Sequence, residues 1–67
     1  MDSKRIIRIA YLRNLIPLLQ QEITGMQLVL SESPYPELRR QAQHELIYKL
    51  PNLKERIQER DRLEMIQ

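Results

Sequence analysis

Sixty-seven residues make a single small domain, at the size where a lone hydrophobic core is marginal and oligomerisation often supplies what the core lacks. There is no Cys, Phe or Trp, which excludes disulfides and thiolate metal sites and leaves Leu, Ile, Met and Tyr to form the core. Eleven basic against nine acidic residues give a net charge of +2, a solvating balance that is by itself no argument for a nucleic-acid partner. With one Gly and abundant Leu, Gln, Glu and Arg, the composition points to an all-α class, expected as one domain spanning residues 1–67.

The first expected element is a helix over residues about 3–31, with Asp2 or Ser3 able to cap its free backbone N–H groups. Ile9, Leu12, Ile16, Leu19, Ile23, Met26 and Leu30 follow one another at alternating steps of three and four. That spacing keeps apolar side chains on one stripe facing a partner helix, so these seven are the expected core or dimer seam. Tyr11, Leu18 and Val29 form a shoulder beside the stripe, and an arc this wide suits a helix with two neighbours. Pro17 removes a donor and crowds the carbonyl of Arg13. The heptad phase runs through it without a skip, which favours one kinked helix over a second helix capped by Asn14.

Lys4, Arg5, Arg8 and Arg13 crowd the first twenty-one residues against Asp2 alone. Arg5 and Arg8 share the wheel face of Leu12, Leu19 and Ile23, so guanidinium groups prolong the apolar seam at its start. Unpaired charge is too costly to bury. These side chains must therefore overhang the core, meet carboxylates or face a partner. Lys4, Arg5, Arg8 and Tyr11 form the expected partner-binding patch, an Arg-plus-apolar composition of the kind found at interface centres. The arginines interrupt any leader-like apolar run and no small-residue cleavage site follows. No stretch of about eighteen apolar residues offers a membrane span. A cytoplasmic location is the expectation.

Ser31-Glu32-Ser33-Pro34-Tyr35-Pro36 ends the pattern, because each proline disfavours the α conformation of the residue before it. Pro36 fits the first position of a second helix, with Glu37 facing the positive end of its dipole. So short a turn makes the two helices antiparallel neighbours. The second helix is expected over residues about 36–49, turning Leu38, Ala42, Leu46 and Leu50 toward the first. Leu50-Pro51-Asn52 then breaks it, and Asn52 with Glu55 resembles a capping box that opens a third segment over residues about 53–66. The Leu46, Leu50, Leu53, Ile57 rhythm across Pro51 indicates a bend and not a reversal. Glu59 with Arg62 and Arg60 with Glu64 have helix-pair spacing.

No constellation for chemistry is present. His44 is the single histidine, and no second ligand stands at zinc-binding spacing. The serines fall at expected helix ends, where capping explains them. No Gly-rich phosphate loop exists, since Gly25 is alone. The expectation is accordingly a non-enzyme with no cofactor or metal: a kinked antiparallel hairpin with a third C-terminal segment, which homodimerises into a helical bundle and binds or inhibits a larger protein. The competing reading is a dimeric nucleic-acid-binding transcriptional regulator using Arg39, Arg40, Lys54 and Arg56. Against it, the carboxylates of Glu55 and Glu59 would repel phosphates.

Overall fold

A computed structural model describes residues 2–65 of the chain. Two helices of thirty residues each, α1 (Ser3–Glu32) and α2 (Pro36–Met65), lie side by side as a hairpin, with no strand among the described residues. A thirty-residue helix is about 45 Å long, and the molecule measures 52 × 16 × 14 Å.

Local chemistry explains where each helix starts and stops. Asp2 is the cap of α1: its Oδ1 accepts from Lys4 N–H at 3.1 Å and from Arg5 N–H at 3.4 Å. At the far end Ser33 is extended (φ −68°, ψ 131°), the conformation that Pro34 imposes, and its N–H donates back to the Val29 carbonyl at 3.0 Å. The Ser33 hydroxyl then accepts from Tyr35 N–H at 3.2 Å, and Arg39 Nη1 donates to the Ser33 carbonyl at 2.7 Å. A side chain of α2 thus satisfies a carbonyl of the turn. Pro36 takes the first position of α2, where its missing N–H costs nothing.

α1 runs through Pro17 without a break, as the unbroken heptad phase implied. The expected division of the second half into helices about 36–49 and 53–66 does not hold. α2 is continuous through Leu50-Pro51-Asn52, Asn52 caps nothing, and the expected end at Ile66 lies outside the described residues. Proline at a helix interior removes one hydrogen bond and crowds one carbonyl. Here Leu46 before it is buried and Leu53 and Ile57 beyond it are half-buried, so breaking the helix would forfeit packing on both sides.

The core is thin. Leu12, Ile16, Leu19 and Ile23 of α1 are buried against Ala42 and Leu46 of α2. Ile9 and Met26 are half-buried, and Leu30, the last residue of the seam, is exposed. The seam therefore meets α2 of its own chain. Leu38 and Leu50, expected to face α1, are 47% and 45% exposed. Steps of four drift by about 40° each around a helix of 3.6 residues per turn, so a line built only from fours leaves the face at both ends. The inward line is Ala42, Leu46, Lys49, Leu53, Arg56, Arg60 and Leu63, whose steps alternate between three and four.

Thirteen large apolar side chains are exposed among the described residues, against six buried apolar ones. The radius of gyration is 15.3 Å, where a compact chain of this length would have about 11 Å. The accessible surface is 5422 Å², where a folded monomer of 8.1 kDa is expected to expose about 4,500 Å². The hairpin carries about 900 Å² more surface than a compact protein of its mass.

Candidate interaction surface

The basic end of the seam is built by both helices. Arg5 and Arg8 of α1 are half-buried, and Arg56, Glu59 and Arg60 of α2 occupy the half-buried face beyond Leu46. Arg8 reaches across to Glu59 in a two-pronged ion pair: Nε donates to Oε2 at 2.7 Å and Nη2 donates to Oε1 at 3.0 Å. Paired, near-parallel donation to one carboxylate is the strongest geometry available to an arginine. The Arg8 hydrogen bond holds the Glu59 carboxyl below the usual glutamate range, against the opposing pull of partial desolvation. The same bond raises the Arg8 pKa. Arg56 Nη1 approaches the same carboxylate at 3.3 Å, so Glu59 serves two guanidinium groups.

Arg8 has a second role. Its guanidinium carbon lies 5.2 Å from the centre of the Tyr11 ring, within cation–π range. Glu59 therefore anchors Arg8, and Arg8 lies against the ring of Tyr11, which remains 51% exposed. Of the expected partner patch, Lys4 is exposed with no ion pair among the described residues, and Arg5 is half-buried with a buried Nε that lacks a hydrogen bond there. Acidic compensation for this patch, absent from α1 beyond Asp2, is supplied by α2. Helix spacing alone could not identify Glu59, because it stands fifty-one residues away in the chain.

Two further ion pairs cross between the helices. Lys49 donates to Glu22 at 2.6 Å, which raises the lysine pKa, and Arg13 donates to Glu64 at 2.9 Å. Neither the Glu59–Arg62 nor the Arg60–Glu64 pair expected from helix spacing forms: Glu59 and Glu64 are taken by α1, and Arg60 turns to Asp61 at 3.0 Å. Of the four residues of the nucleic-acid reading, Arg39 is spent on the turn and Arg56 lies against Glu55 and Glu59. Arg40 and Lys54 are exposed and stand fourteen residues apart along α2, about 21 Å.

A second apolar surface runs along the outside of α1. Ile7, Tyr11 and Leu18 are 67%, 51% and 56% exposed, and Val29 lies at the same angular position further along. Pro17, Gln20, Gln21, Thr24, Gly25 and Leu28 line an open depression on the neighbouring flank. Gly25 is helical, without positive φ, and a Cβ built on it would meet nothing within 4 Å. Nothing inside the hairpin demands a glycine there.

His44 is exposed on α2 and stands edge-on to Tyr48, ring centres 5.3 Å apart. Among the described residues no group of three or more His, Cys, Asp or Glu could hold a metal ion, and no helix is long and apolar enough to cross a membrane. Comparison with protein-family models, with curated proteins and with solved structures finds no match.

Proposed function

We propose that the hairpin is a non-catalytic binding protein that pairs with a second copy of itself and attaches to, or inhibits, a larger protein. The observation that carries this reading is the mismatch between apolar surface buried and left outside: six buried apolar residues against thirteen large apolar side chains exposed. Large exposed apolar patches on a soluble protein mark interaction sites, and Ile7, Tyr11, Leu18 and Val29 fall on one stripe of α1. A standard protein interface removes about 800 Å² from each partner, close to the roughly 900 Å² by which this chain exceeds the surface of a compact monomer. One interface of ordinary size would leave each chain about 4,600 Å² of accessible surface, close to the value for a compact monomer of its mass.

The four residues of the nucleic-acid reading give it less support, because two of them are already committed within the hairpin and the other two are dispersed. Ion pairing of Arg8 with Glu59 also lowers the charge that the Lys4–Arg8 end offers to phosphate. The test has two arms. Sedimentation of the purified chain at micromolar concentration should return twice the monomer mass, and a stable folded monomer would overturn the pairing. Capture from the host on the tagged protein should retain a protein at a salt concentration that strips phosphate contacts. Nanomolar, sequence-dependent binding to a duplex at about physiological salt would replace this reading with the nucleic-acid one.

A further inference from the structure

We infer that the second copy docks on the outer face of α1, antiparallel, with Leu18 of the two protomers meeting on the two-fold axis. The inference rests on the pairing proposed above and specifies its face, direction and register. Lys4, Ile7, Tyr11, Asn14, Leu18, Glu22, Gly25, Val29 and Glu32 form a second series of steps of three and four along the whole of α1. It lies about a third of a turn from the buried seam at 100° per residue, so it faces away from the core, although Glu22 at its edge still reaches Lys49 of α2. Leu15 and Met26, both half-buried, fill the sector between the two stripes.

This series is self-complementary when reversed about Leu18. In a two-fold contact, each residue before Leu18 faces the residue equally far after it. Ile7 then faces Val29 of the partner subunit, two exposed aliphatic groups in register. Tyr11 faces Gly25 of the partner subunit, so the largest side chain of the stripe meets the position with none. The open space around Gly25, unexplained within one hairpin, becomes the seat for an aromatic ring that already carries Arg8 against it. Asn14 faces Glu22 of the partner subunit, whose Oε2 is bound to Lys49 of its own chain and whose Oε1 can accept from the amide. Lys4 faces Glu32 of the partner subunit, and both residues are exposed without an ion pair among the described residues.

A parallel arrangement of the same stripe places like on like. Lys4 would oppose Lys4 of the partner subunit, Glu32 would oppose Glu32 of the partner subunit, and two glycines would face each other across a gap. Charge and volume both select the antiparallel register. The surface excess of about 900 Å² per chain matches one such interface.

The chain has no cysteine, so single introduced thiols report contacts without background. With a short bismaleimide, Leu18→Cys should link to itself as a covalent dimer. Ile7→Cys and Val29→Cys should link to each other when mixed and not when separate. Gly25→Leu should weaken the dimer at least tenfold by sedimentation while helix content stays unchanged. If Ile7→Cys links to itself, the direction is parallel and the inference fails. If the mass is dimeric yet Leu18→Cys does not link, another face makes the dimer, and the proposed pairing stands without this geometry. A monomer by mass for the parent chain would overturn both.

Discussion

Glu59 shows how one side chain can organise an end of a small fold. Its carboxylate receives both prongs of Arg8 and lies 3.3 Å from Arg56, which holds it ionised below the usual glutamate range. A carboxyl whose folded pKa is depressed contributes stability that is fully present above its unfolded value, about 4.3 for glutamate. That contribution is lost as pH falls through the lower, folded value. The urea midpoint of the parent protein should therefore drop more steeply between about pH 5 and pH 2 than that of Glu59→Gln, whose side chain does not titrate. Parallel curves would remove the ion pair from the account of stability. Because Arg8 also lies over Tyr11, Glu59→Gln should loosen the tyrosine ring, seen as a loss of fixed tyrosine signal in near-ultraviolet circular dichroism.

At the level of the element, both helices carry an interior proline and neither stops there. A proline in a helix interior costs up to about 3 kcal/mol relative to alanine, and the packing on either side of it has to offset that. Leu46, Leu53 and Ile57 provide that packing for α2 around Pro51. Pro51→Ala restores a donor to the Ile47 carbonyl and removes the ring. It should raise the unfolding free energy by about 1–3 kcal/mol, measured by urea titration. A loss of stability on the same substitution would mean that the proline shapes a bend that the interhelical packing requires.

For the molecule as a whole, the deciding quantity is surface. A hairpin two helices wide can bury only one stripe of each helix, and the remaining apolar residues have no third layer to cover them. If a second copy supplies that layer, folding and association are linked, and stability depends on protomer concentration. The thermal midpoint should rise by several degrees for each tenfold increase in protein concentration. A midpoint independent of concentration from about 1 to 100 μM would show that the hairpin is stable alone.

The all-α class, the antiparallel hairpin, the position of the turn and the buried core of Leu12, Ile16, Leu19 and Ile23 were all legible in the sequence. These depend on local rules: helix periodicity, a cap, and prolines that constrain their neighbours. Tertiary structure alone decided three further points. Pro51 lies within a helix because packing on both its sides outweighs a local preference to stop. Glu59 takes Arg8 of α1 together with Arg56 and not Arg62, and Glu64 takes Arg13 of α1 and not Arg60, since ion-pair choice depends on which side chains the hairpin brings together in space. The seam turned inward to α2, which left the outer stripe of α1 uncovered, and the choice between these faces is made only once the second helix has docked.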